Sequence, residues 1–239
     1  QWRKSDQTGN LYPDPDMRLR RYLGGGRLEQ DGEWHCEYDA DGNLTERYLG
    51  TGRWLDGKKD RWRYRWNADG SLAKVVRPDK REVEFTYDAL GRRLSKSFGT
   101  TVTRWVWNGN VPLHQWKQHR EYSVVEDRWH TDTERRDMTV WLFDEESFVP
   151  VAMLKEGRSY SILTDQLGTP TEAYDTEGNE VWSRILDMDG NVIEETGNKG
   201  MVPFLFQGQY YDRETGLAYN RFRYYSPQMG MYVSQDPIG

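Results

Sequence analysis

One short device recurs along this sequence: a large residue, then Asp or Asn, two variable residues, and Gly. It occurs as Tyr38-Asp39-Ala40-Asp41-Gly42, Trp66-Asn67-Ala68-Asp69-Gly70, Tyr87-Asp88-Ala89-Leu90-Gly91, Tyr174-Asp175-Thr176-Glu177-Gly178 and Leu186-Asp187-Met188-Asp189-Gly190. A hairpin loop built on a type I turn followed by a left-handed residue wants Asp or Asn first, because its side chain can bond the backbone two residues on. Three positions later it wants Gly, which enters positive φ without a steric cost. A Leu or Val follows within two or three residues of each Gly (Leu44, Leu72, Leu94, Val181, Val192), so each unit reads as a β-hairpin. The first three units are 28 and 21 residues apart, an imperfect repeat. Hairpins with one aromatic face cannot bury it alone, so they stack side by side into an extended sheet.

The segments between the turns agree. In Arg61-Trp62-Arg63-Tyr64-Arg65-Trp66 every second residue is aromatic, so an extended strand puts rings on one face and charges on the other. Glu82-Val83-Glu84-Phe85-Thr86-Tyr87 repeats the pattern, and 139–143, 159–163 and 219–225 also read as strands. Seven alanines against 23 Gly, 11 Trp and 15 Tyr disfavour helix. The expected fold class is therefore all-β. From Val111 to Glu146 a charged stretch interrupts the pattern, and it reads as strands with longer, solvated connections. Two continuous regions are expected, 1–110 carrying the repeats and 111–239 following them.

Composition excludes several functions. The net charge is −6 with both signs interspersed, so no nucleic-acid footprint is expected. No apolar run approaches the ~20 residues of a membrane span. The one cysteine, Cys36, cannot pair within the chain, which fits cytosolic synthesis. The chain opens on Gln1 with no leader pattern, which suggests a piece of something longer. His35, His114, His119 and His130 show no metal-ligand spacing, and His35 and Cys36 point to opposite faces of a strand, so no metal is expected. Tyr22-Leu23-Gly24-Gly25-Gly26 lacks the following helix of a phosphate loop and reads as a turn; no cofactor is expected. The Trp and Tyr stripes are either packing rings or a sugar-stacking platform, and a carbohydrate or cell-surface binding module is the alternative function.

The tyrosine-aspartate hairpins resemble the YD repeats of rearrangement hot spot (Rhs) proteins. The second half is more specific: 141–150, Thr164-Asp165-Gln166-Leu167-Gly168-Thr169-Pro170, 206–212 (Phe-Gln-Gly-Gln-Tyr-Tyr-Asp), 214–217, 219–225 and Asp236-Pro237-Ile238-Gly239 resemble the Rhs-associated core. Asp212 and Gly216 are assigned there to a further turn, beside the turn residues Asp39, Gly42, Asn67, Gly70, Asp88, Gly91, Asp175 and Gly178.

The resemblance implies a β-ribbon spiralling into a hollow shell around a C-terminal toxin, with the core closing its end. It implies wall rather than toxin for this chain. It also implies partners in the rest of the shell, the toxin domain and the delivery proteins of a type VI or similar route, and a path from the producing bacterium's cytoplasm to a target cell. An exposed sheet edge is expected to be covered by the remaining shell, another copy or a partner. Family members cut themselves with two aspartates. Asp236 matches the first, with Arg221 and Arg223 as candidate counter-charges, while the second motif is not in the sequence.

Overall fold

The computed structural model describes residues 3–50 and 58–235. Strands dominate, and a 3₁₀ turn at Gly24–Gly26 is the one helical segment among the described residues. The chain divides into two compact units, Gln1–Glu82 with Val233–Gly239, and Val83–Tyr232.

In the first unit a small hairpin, Lys4–Ser5 with Leu11–Tyr12, precedes six strands: Arg20–Tyr22, Leu28–Asp31, Trp34–Tyr38, Leu44–Leu49, Lys59–Trp66 and Leu72–Val76. Each pairs antiparallel with the next. The alternation puts Tyr64 in the core at 5% exposure, between exposed Arg63 and Arg65. Trp66 donates its indole N–H to the Leu44 carbonyl at 2.7 Å, and Arg77 lies over the Trp62 ring at 5.6 Å. These three rings pack the wall of the unit. Val233 rejoins it by accepting the Leu44 N–H at 2.8 Å.

The second unit is a ten-strand antiparallel meander: Glu82–Tyr87, Arg93–Phe98, Thr101–Asn108, Val111–Ser123, Arg136–Phe143, Pro150–Lys155, Arg158–Thr164, Pro170–Tyr174, Glu180–Leu186 and Val192–Gly197. Its buried face takes a large side chain from most of the strands, while Pro170–Tyr174 buries only Pro170 and Ala173 and Val192–Gly197 none. Trp141 stands opposite Met153, and Ala173 opposite both Ile162 and Trp182. A separate four-stranded sheet, Tyr210–Asp212, Leu217–Asn220, Arg223–Ser226 and Met231–Tyr232, completes the unit.

The turns have the expected chemistry. At 88–92 the Gly91 N–H donates to the Asp88 carbonyl at 3.0 Å, and the Asp88 N–H to the Arg92 carbonyl at 2.9 Å. Asp88 Oδ1 accepts the N–H of Leu90 at 2.9 Å and of Arg92 at 2.8 Å. The turns opening at Asp39, Asn67, Asp175 and Asp187 share the backbone pattern. So does the one at Asp165, where Thr164 replaces the large residue. Register shifts beside them, between Glu37 and Tyr38, Arg65 and Trp66, and Ala173 and Tyr174, are the bulges that a left-handed closing residue introduces.

Two segments differ from the sequence expectation. The 111–146 stretch holds one 13-residue strand, Val111–Ser123, whose end pairs with Arg128–Thr131 in an exposed hairpin. Tyr122 and Trp129 meet edge to face there at 5.4 Å, and Arg120 caps the Trp129 ring at 4.3 Å, so ring contacts hold as strand part of what was expected to be a solvated connection between strands. Residues 219–225 form two strands, because Arg221 adopts φ 54° and turns the chain between Asn220 and Arg223.

Gly178 has φ +84° with nothing within 4 Å of a built Cβ, whereas at Gly91, φ +75°, a Cβ would lie 2.8 Å from Phe222 Cε1. Gly178→Ala should therefore cost about 1–2 kcal/mol from left-handed strain alone. Gly91→Ala should add a further ~1–3 kcal/mol of overpacking. Urea unfolding of the two variants measures the difference, and equal losses would show that Phe222 does not rest on the turn.

Candidate functional site

Because the meander is antiparallel, its connections alternate between two rims. On one rim lie the turns at Gly99, Gly157 and Gly178, where a Cβ would meet nothing within 4 Å. The other rim carries the turns at Gly91, Asn110, Gly168 and Gly190, and residues 206–230 cover it. Phe222 rests on Gly91, and Phe206 approaches Gly190 to 3.1 Å of a built Cβ. Gln207 Nε2 donates to the Leu167 carbonyl at 2.6 Å, Arg221 donates to Asn110 Oδ1, and Asn191 Nδ2 donates to the Pro227 carbonyl at 2.9 Å. Tyr225 OH donates to the Asp189 carbonyl at 3.0 Å. The terminal segment is thus a cap fitted to one rim.

An ion cluster at its centre pins the cap to the wall. Arg93, at the start of its strand, points both Nη atoms at Asp212, with Nη2 3.2 Å from Oδ1; the side chains are 1% and 0% exposed. Lys96 Nζ donates to Asp212 Oδ1 at 3.0 Å and to Glu214 Oε2 at 2.7 Å. The bulge between Arg93 and Ser95 accompanies the convergence of these two cations on one carboxylate. The Arg93 guanidinium lies 4.4 Å from the Trp105 ring centre, 4.6 Å from Tyr219 and 5.1 Å from Tyr210. Tyr219 OH donates to the Gly91 carbonyl at 3.0 Å and accepts the Arg93 N–H at 3.0 Å. Tyr87 and Tyr224 share a hydroxyl hydrogen bond of 2.7 Å, and Trp107 Nε1 donates to the Arg93 carbonyl at 2.7 Å.

The electrostatics follow from burial and pairing. Burial pushes the Asp212 carboxyl up, but the adjacent Arg93 and Lys96 charges outweigh it and hold the group below the usual carboxylate range. Burial also raises the Tyr87, Tyr219 and Tyr224 hydroxyls, which therefore stay protonated. With every charge fixed in an ion pair, the cluster is a clamp rather than acid–base machinery.

Among the residues singled out from sequence, Asp39, Gly42, Asn67, Gly70, Asp88, Gly91, Asp175 and Gly178 lie at hairpin turns. Asp212 also opens a turn, its carbonyl accepting the N–H of Thr215 at 3.1 Å and of Gly216 at 2.8 Å. Its side chain is the centre of the clamp, a role the sequence reading missed along with Arg93 and Lys96. Asp236, with Pro237 and Gly239, lies outside the described residues. Arg221 is engaged by Asn110 and the Leu90 carbonyl, and Arg223 stacks on Tyr232 at 3.8 Å. His35 stacks on Tyr48 at 5.6 Å, and His119 and His130 sit beside Glu121 and Glu126. Burial raises the Cys36 thiol to about 11. No helix among the described residues is long and apolar enough to cross a membrane.

A family model described as the teneurin YD-shell matches residues 6–238. The chain is 31% identical over 255 residues to the double-stranded DNA deaminase toxin A of Burkholderia cenocepacia (strain H111), covering 98% of this chain and 17% of that protein. It is 32% identical to toxin protein Tse5 of Pseudomonas aeruginosa, covering 90% of this chain and 18% of that protein. Among solved structures, the crystal structure of TcdB2-TccC3-Cdc42 aligns with a TM-score of 0.48 at 16% identity, over 98% of this chain and 11% of that one. The chain therefore spans less than a fifth of the length of these proteins.

Asp212→Asn leaves Arg93 and Lys96 facing a neutral amide, and should cost about 3–5 kcal/mol of stability at neutral pH. Because the folded-state carboxyl is depressed, its contribution is fully present above the ordinary value of 3.8 and is lost as pH falls through the lower folded value. Melting curves of the parent chain and the variant should therefore converge on acidification. A gap independent of pH would show that the charge of Asp212 is not what holds the cap.

Proposed function

Since the chain belongs to the teneurin YD-shell family, with Rhs-type toxins among its relatives, we propose that it is a wall-and-cap segment of a shell that encloses a polypeptide encoded downstream of it. One observation carries this reading: a terminal sheet that closes one rim of the meander and is fixed there by the fully buried Arg93–Asp212 pair. An element clamped so firmly at a rim suits a closure. The relatives' names supply the cargo class, since the deaminase toxin and Tse5 are both toxins much longer than this segment.

In this reading the parent is made in a bacterial cytoplasm, keeps its toxin shielded from the producing cell, and reaches a competitor or host cell by type VI secretion or a similar route. The remaining shell, the toxin domain and the spike or delivery proteins are its partners. Asp236 acts in the parent as one aspartate of a self-cleaving pair. Two carboxylates close enough to share a proton titrate apart, one serving as base and the other as acid, so a single one cannot divide that labour.

Limited proteolysis of the parent tests enclosure. The downstream polypeptide should resist digestion in the intact protein and become sensitive when Asp212→Asn loosens the cap. Equal digestion of both proteins would overturn the reading. Self-cleavage has its own test: Asp236→Asn in the parent should abolish release of the C-terminal piece with the melting temperature unchanged. Release at the native rate would leave Asp236 as a turn residue only.

A further inference from the structure

A cleft of about 270 Å³ lies in the unit 83–232, between the meander and the segment 199–214. Six cationic side chains line it: Lys96, Lys117, Lys155, Arg184, Lys199 and Arg213. Three of these are neutralised locally. Lys96 is held by Asp212 and Glu214, Lys117 by Asp137 at 2.7 Å, and Arg213 by Glu195. Counting Arg93 beneath Lys96, seven cations meet four carboxylates, Asp137, Glu195, Asp212 and Glu214, leaving three positive charges in a chain whose net charge is −6.

The excess falls on Arg184, Lys155 and Lys199. Arg184 is 5% exposed, and its Nη atoms donate to the neutral carbonyls of Val202, at 3.2 Å, and Phe204. Burial lowers its pKa to about 10, and the nearby Glu195 charge, already paired with Arg213, offsets that only in part. Lys155 is half-buried and Lys199 exposed, and among the described residues neither has a carboxylate within ion-pair distance. Two lining residues also keep a buried N–H without an acceptor, Nε of Arg184 and Nε1 of Trp141. The surplus is thus one-sided: uncompensated positive charge together with unused donors. A concave wall of low dielectric concentrates such a field.

We propose that this cleft is a binding site for an oxyanionic group, a carboxylate or a phosphoryl group, held by Lys155 and Lys199 at the opening with Arg184 fixed as the charge behind them. The ligand chemistry has two sources, the side chains of an acidic peptide segment and a free phosphoryl compound.

Calorimetric titration of the full chain at low ionic strength, with a short polyglutamate peptide and separately with pyrophosphate, tests the site. Saturable one-to-one binding is expected, weakened when salt shortens the screening length. The Lys155→Gln/Lys199→Gln double variant should bind at least about tenfold more weakly with an unchanged melting temperature. Binding of the peptide alone assigns the site to an acidic chain, binding of pyrophosphate alone to a phosphoryl ligand, and binding of both to the shared oxyanion; each upholds it. No saturable binding of either probe, or equal binding by the double variant, would overturn it.

Discussion

A guanidinium and a carboxylate removed from water together hold the 83–232 unit in one arrangement. Taking either charge into an apolar interior alone is prohibitive, so Arg93 and Asp212 are tolerable only when both arrive. They come from segments 119 residues apart, one from the wall and one from the cap. Trp105, Tyr210 and Tyr219 then wall the pair off, and Lys96 donates to the same Asp212 carboxylate while Glu214 balances its charge. The cap therefore cannot detach by degrees. Lifting it exposes two bare charges at once, which makes its seating cooperative with the wall.

The local half of the fold was legible because its causes are local. An Asp88 side chain that reaches two residues on and a Gly91 that enters positive φ need no partner elsewhere in the chain, so their spacing alone shows a hairpin. The same holds for the ring-and-charge alternation of 61–66. The exposed hairpin at Arg128–Thr131 escaped detection because Tyr122, Trp129 and Arg120 stabilise it across strands, with no period for a charged window to display. At 219–225 an Arg takes the left-handed turn position where Gly or Asn signals a hairpin, so the ring-and-arginine pattern runs unbroken across its corner.

The clamp was illegible for the opposite reason. Asp212 carries a correct turn signature, and that signature explains its presence in sequence so fully that nothing marks the carboxylate as buried. Arg93 and Lys96 look like the solvated charges of any exposed strand face. The bulge beside Ser95 and the seating of Tyr219 against Gly91 accompany their inward placement, and both are three-dimensional events. The teneurin YD-shell match and the recurrent core motifs placed the segment within its family without disclosing which of its side chains meet.

The two unlike rims of the meander divide it into a fixed margin and a free one. Several hairpins whose turns lie under the cap have their length measured by a side chain resting on them, Phe222 at Gly91, Arg221 at Asn110, Gln207 at Leu167 and Phe206 at Gly190. Adding a residue pair to such a strand would lift its turn out of reach. At Gly157 and Gly178 a Cβ would meet nothing within 4 Å, so loops there can grow, exchange or carry a fused peptide without touching the cap, whereas the Gly99 turn is held by Arg120, whose Nε donates to the Gly99 carbonyl at 2.8 Å. Insertions are thereby expected to be tolerated at one margin of the meander and resisted at the other.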